Sequence, residues 1–128
     1  MHSVTAANAP AALGHYSHAI VSGGLVFVSG QLPINPESGE VEADTIEGQV
    51  ACSLDNVSRI LASAGSGMDR VVKATIFISD MSLFSRANAA YAAAFGEHRP
   101  ARSAVPTLLL PRGALVEIEV IAEVTADA

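Results

Sequence analysis

The stretch Pro100-Ala-Arg-Ser-Ala-Val-Pro-Thr-Leu-Leu-Leu-Pro-Arg-Gly-Ala-Leu-Val-Glu-Ile-Glu-Val-Ile-Ala-Glu-Val124 decides how the rest of the chain is read. It divides into two strand-like runs joined by a turn near Pro111-Arg112-Gly113. The second run alternates without a break. Val116, Ile118, Val120, Ala122 and Val124 share one face, and Leu115, Glu117, Glu119, Ile121 and Glu123 the other, because successive strand side chains point to opposite sides. The first run opens with a lone arginine, Arg102, after the chain reversal at Pro100. If the two runs pair, that guanidinium lies near a strand face bearing carboxylates. An arginine so placed grips a small carboxylate with two hydrogen bonds, and an acid beside it handles protons or water. The competing reading is an edge strand with a solvated charged face, where exposed ion pairs contribute little.

Working back from this stretch, residues 1–13 are small and Ala-rich, with Pro10, and read as an extended arm. Two short apolar runs, His18–Val21 and Leu25–Ser29, flank Ser22-Gly23-Gly24. Glycine supplies the positive φ of tight hairpin turns, so these runs form a β-hairpin. Gly30 ends the second run, and Pro33, Asn35-Pro36 and Ser38-Gly39 make a turn-rich loop. Asp44 opens a helix, with Glu47 completing a capping-box pattern and Ile46, Val50, Leu54, Val57 and Leu61 as its apolar stripe. Gly65 and Gly67 stop it. Residues 70–79 are β-branched and read as a central strand. A second helix from about Ser82 turns Phe84, Ala87, Tyr91 and Phe95 inward and closes at Gly96. The predicted order is ββαβαββ, an α/β (α+β) arrangement in which two helices cover one face of a mixed sheet.

The other face then carries Glu117, Glu119, Glu123, Lys73, Thr75 and Arg102 among Leu115, Ile121 and Phe77. That mixture is too apolar for solvent and too charged for a core, so self-association into a closed ring is expected, with polar pockets where subunits meet. A chain of 128 residues fits one domain over 1–128. Its net charge of −6 opposes nonspecific binding to nucleic acid or anionic membrane. Cys52 is alone, which points to a reducing compartment, and the apolar run Ala19–Val28 is too short to span a bilayer; cytoplasmic is the expectation. His15 and His18 lack further ligands nearby, so no metal site is expected. Asp55 and Asn56 read as helix surface.

The segments PARS at 100–103, Leu110-Pro111 and VEIEVIA at 116–122 resemble the signature end of the RidA family, also called YjgF. Gly14-His-Tyr-Ser17, Val28-Ser-Gly-Gln-Leu-Pro33, Asn35-Pro-Glu-Ser-Gly-Glu40 and Ser53-Leu-Asp-Asn-Val57 agree with it, so the likeness runs end to end. The resemblance implies a chorismate-mutase-like fold and a homotrimer with inter-subunit clefts. It also implies hydrolytic deamination of reactive enamines and imines such as 2-aminoacrylate and 2-iminopropanoate to 2-keto acids, without a cofactor. By the same resemblance Arg102 binds the substrate carboxylate and Glu117 positions water, while Tyr16, Ser29, Gly30, Asn88 and Ala104 line or support the cleft. Many members carry cysteine where Ala104 stands here, and Pro106 falls within the strand, where proline belongs on an edge or at a bulge. Two other functions compete with the deaminase: a non-catalytic module that senses a small carboxylate, and a ribonuclease or translation inhibitor. The acidic balance opposes the last of these.

Overall fold

In the computed structural model, which describes residues 1–125, the elements run β1 (His2–Val4), β2 (Ala19–Ser22), β3 (Leu25–Gln31), α1 (Ile46–Ser63), β4 (Val71–Ile78), α2 (Phe84–Phe95), β5 (Ala101–Pro106) and β6 (Val116–Glu123). The six strands form one sheet in the order β1-β2-β3-β6-β4-β5. All neighbours are antiparallel except β4 and β5, which run parallel. This is the mixed sheet that the sequence predicts, with one strand more. The arm was expected to be merely extended, but His2–Val4 pairs with Ala19–Val21 and Val4 is buried. A three-residue strand carries too little alternation to stand out in the sequence; its ladder bonds come from the neighbouring hairpin.

The hairpin itself is as expected. Ser22 pairs with Leu25, and Gly23 and Gly24 between them have φ of 62° and 79°. Both central residues of this turn need positive φ, which glycine adopts without strain. The alternation of β6 is equally faithful, since Val116, Ile118, Val120 and Ala122 are buried against the helices. So are the stripe residues Ile46, Val50, Leu54, Val57 and Leu61 of α1, and Ala87, Tyr91 and Phe95 of α2. Fully burying a Leu, Ile or Val side chain contributes about 1.5–3 kcal/mol, so these two stripes and β6 hold the layers together.

The helix starts differ from expectation. Thr45, not Asp44, caps α1, its hydroxyl accepting from the Gly48 N–H at 3.1 Å. Glu47 does not close a capping box. Its carboxylate takes a two-pronged bond from Arg86 of α2, with donor–acceptor distances of 2.8 and 2.7 Å. A 3-10 turn at Met81–Leu83, capped by the Asp80 side chain, precedes α2. The Arg86 hydrogen bonds lower the Glu47 pKa from 4.5 to about 2. A depressed folded-state pKa means that the stability this pair contributes is present above 4.5 and lost as pH falls toward 2. Thermal melts of Arg86→Ala and wild type are therefore expected to differ near neutral pH and to converge at the acid end.

The strand neighbours of β4 matter most. The two C-terminal runs do not pair with each other, because β4 lies between them. The α2 crossover carries the chain from β4 to a parallel strand at its outer edge, and the 3-10 turn Pro111–Gly113 then leads it back to β4's other side. Pro106 ends β5 on the sheet edge, where its missing N–H costs no ladder bond. Within the described residues, no helix is long and apolar enough to cross a membrane.

Candidate active site

The open face of the sheet holds the first group of candidate residues. Glu117 pairs with Phe77 of β4 and is half-buried. Ser29 and Gly30 sit at a β-bulge. Val28 aligns with Val120 and Gln31 with Ile118, so three steps on β3 match two on β6. Bulges kink a strand and re-aim its residues. This one brings the Gly30 backbone against the acid: a Cβ at Gly30 would lie 3.0 Å from Glu117 Cδ, tight enough that the Glu117 side chain would have to shift. Ser29 donates to the Ser17 carbonyl at 2.7 Å, and the Ser29 N–H to the His18 carbonyl at 3.0 Å, which ties the Tyr16–His18 segment to the bulge. Tyr16, Ser29, Gly30, Phe77, Glu117 and Glu119 line a cavity of about 460 Å³. Burial, and then the charge of Glu119, push the Glu117 carboxyl above its ordinary pKa.

The histidine next to this group is structural. His18 is buried, its Nδ1 accepting from the Ala6 N–H at 3.0 Å and its Nε2 lying 2.7 Å from the Pro10 carbonyl. These bonds require the neutral ring with the proton on Nε2. They pin the arm whose Pro10 and Ala11 also line the cavity.

Arg102 lies elsewhere. It aligns with Ala74, a fully buried residue facing the helices, and so it occupies the helix-covered face. Its Nη1 donates to Asn88 Oδ1 at 2.7 Å. Asn88, Tyr91, Phe95, His98, Pro100 and Arg102 line a second cavity of about 440 Å³. Ala104, two residues along β5 and level with Ile76, is on the same face. The expectation that Arg102 shares a face with Lys73 and Thr75 is thereby corrected. With β4 between the two runs, Arg102 and Glu117 fall on opposite faces of one sheet. Among the described residues the only ion pair is Arg86–Glu47, which leaves the Arg102 guanidinium without a carboxylate.

Two features escaped the sequence reading. Asn56, expected on the helix surface, is fully buried. Its amide donates to the Leu32 and Ile34 carbonyls at 3.2 and 2.9 Å, and its oxygen accepts from Arg59 at 2.8 Å. Leu32 and Ile34 line the Glu117 cavity, so this amide holds part of its wall. The available signal was its place in the helical period, three residues after buried Ser53 and four before Ile60. Asn56→Ala orphans two carbonyls and is expected to destabilise the fold by about 1–3 kcal/mol in urea unfolding. The second feature is that Phe84 and Tyr91, read only as core, touch Arg102. Cys52 is an unactivated thiol, its pKa raised by burial and then by Asp55.

A model of the Endoribonuclease L-PSP family matches residues 6–124. The chain belongs to this family, the RidA (YjgF) family. The Escherichia coli K12 2-iminobutanoate/2-iminopropanoate deaminase is 43% identical over 94% of this chain and 95% of its own. A Lactococcus lactis protein named as a candidate regulator, AldR, is 45% identical over 97% and 98%. The solved structure of E. coli TdcF with bound serine superposes with a TM-score of 0.92 at 37% identity, covering 98% of this chain and all of the other. The fold is thus that of the RidA family, as the C-terminal signature implied.

Proposed function

We propose that this RidA-family chain hydrolyses small 2-imino acids and their enamine tautomers to 2-keto acids and ammonia, at sites shared between neighbouring subunits of a homotrimer. The observation that carries this reading is the split site. An arginine fork without a carboxylate lies on one face, and a desolvated glutamate backed by bare glycine backbone lies on the other. Neither half can hold a carboxylate and direct water at the adjacent carbon. Arg102 of one subunit set against the open face of the next supplies both. The substrate carboxylate then sits on the guanidinium, with the C=N carbon turned toward Glu117. Water held by Glu117 adds to that carbon while a proton goes to nitrogen. The resulting carbinolamine loses ammonia as its hydroxyl proton is taken up, leaving the keto acid. The imine is already electrophilic, so positioning and proton transfer are what the protein contributes.

Support for assembly comes from the surface. Leu108 and Leu109, beside the β5 edge, are 94% and 87% exposed, and Phe27 and Val72 also reach the surface. Adjacent exposed apolar side chains, as Leu108 and Leu109 are, mark contact regions where they form one patch. A non-catalytic carboxylate-binding module is the second reading, favoured by the relative named as a regulator and by the serine-bound relative. The family description names an endoribonuclease, but a net charge of −6 opposes attraction to RNA.

The test generates imino acids in situ with an amino-acid oxidase, traps them with semicarbazide and measures how much the protein removes. Clearance no faster than buffer overturns the enzyme reading. Sedimentation equilibrium is expected to give a trimer, and a monomer at micromolar concentration overturns the shared site. Mixing subunits probes the sharing directly. Arg102→Ala and Glu117→Gln trimers are each expected to be nearly inactive. Co-refolding them at equal ratio is expected to restore roughly a quarter of wild-type activity, because about that fraction of interfaces in a random ring pairs an intact arginine with an intact glutamate. No recovery would overturn the pairing of Arg102 with Glu117 across an interface.

A further inference from the structure

Three side chains of α2 converge on Arg102. Phe84, Asn88 and Tyr91 are spaced i, i+4, i+7 and so occupy one face of the helix. Asn88 holds Nη1, and the guanidinium carbon lies over two rings, 5.4 Å from the Phe84 centroid and 4.9 Å from that of Tyr91. A cation over an aromatic face is drawn to the ring's negative quadrupole, and arginine also stacks there by its plane. The Tyr91 hydroxyl is buried without a hydrogen-bond partner. A buried tyrosine ordinarily places its hydroxyl on a partner, so what contacts Arg102 here is the ring face.

We propose that Phe84, Asn88 and Tyr91 form a cradle that holds the Arg102 guanidinium in one orientation before a ligand arrives, making them positioning residues for carboxylate recognition. The proposal rests on the reading of Arg102 as the carboxylate grip. An arginine free in solvent must surrender rotamer freedom when it binds, whereas one ordered by folding has already done so. The Asn88 bond occupies Nη1 and leaves Nε and Nη2 as a side-on fork, the geometry that donates to two carboxylate oxygens in parallel. Tyr91 joins two roles of α2: it packs in the core with Ala87 and Phe95, and with Phe84 and Asn88 it orders a cation at the core's edge.

The decisive measurement is nitrogen NMR of the Arg102 guanidinium in the unliganded protein, with no activity assay involved. Restricted rotation, seen as a sharp, slowly exchanging Nε–H signal, is expected in wild type and Tyr91→Phe, and lost in Phe84→Leu and Asn88→Ala. Phe84 is only half-buried, so its variant folds, and Tyr91→Phe is expected to melt higher because it removes an unsatisfied hydroxyl. Titration with pyruvate as the probe is expected to show roughly two- to fivefold weaker binding for Phe84→Leu. In an Arg102→Ala background the same change is expected to leave the residual affinity unmoved, which a merely structural role would not do. A mobile guanidinium in wild type, or order unaffected by Phe84→Leu and Asn88→Ala, overturns the cradle. Failure of wild type to bind pyruvate while the guanidinium is ordered sinks the carboxylate-grip reading and leaves the cradle standing.

Discussion

Arg102→Ala is expected to lower kcat/KM for imine clearance by roughly thirty- to a thousandfold, the equivalent of about 2–4 kcal/mol of transition-state binding lost with a charge-assisted fork. Among the described residues the arginine has no carboxylate partner, so its removal frees no buried partner charge there to complicate the result. Arg102→Lys separates charge from shape. Lysine keeps the positive charge but not the planar pair of donors, so it is expected to recover only a small part of the loss. If Arg102→Lys performed as wild type, simple charge attraction would suffice and the two-pronged grip would be wrong. A merely structural arginine would instead show unchanged kinetics with a shifted melting temperature.

Glu117→Gln is expected to cut turnover by roughly a hundredfold or more while leaving pyruvate affinity nearly intact, since it preserves shape but removes the carboxylate that takes and returns the proton. The pH dependence follows from the direction of the Glu117 shift. Desolvation, the larger cause, and the Glu119 charge both disfavour the ionised form, so the carboxyl protonates above the ordinary carboxylate range. The activity needs it ionised. The acid limb of kcat/KM is therefore expected above 4.5, and Glu119→Gln is expected to move that limb downward by removing the like charge. For stability the sign is opposite. A raised folded-state pKa means that this site is least unfavourable when protonated, and its stability contribution falls as pH rises through that pKa. If the module only binds, Glu117→Gln has no turnover to remove and is expected to tighten carboxylate affinity. That result, together with wild-type clearance no faster than buffer, would decide for a sensor.

Several positions of the candidate site were legible because their signals are local. The strict alternation of β6 placed Glu117 and Glu119 on the face away from the helices, whereas Gly30, read as a strand end, lies inside β3 with its backbone against Glu117. The C-terminal signature carried the family, and with it the roles proposed for Arg102 and Tyr16. Asn56 was misread for a physical reason. An amide satisfied by loop carbonyls 22 and 24 residues away leaves no mark on helical periodicity beyond its position.

By itself the sequence determined the two helices and most strands, with the inward faces of α1, α2, β4 and β6, since period-2 and period-3.6 patterns are written in neighbouring residues; β1 and the face of Arg102 on β5 were not among what it determined. It determined the Gly23-Gly24 turn in the same way, through the backbone freedom of two glycines. Only the tertiary structure decided which strands are neighbours. A crossover through α2 sets β5 parallel to β4 and puts β4 between the two C-terminal runs, a nonlocal choice that no run of residues states. That choice turns Arg102 to the helices, while Glu117 keeps the open face that its alternation gives it. It is the physical reason that the two residues proposed to act together face apart within one chain.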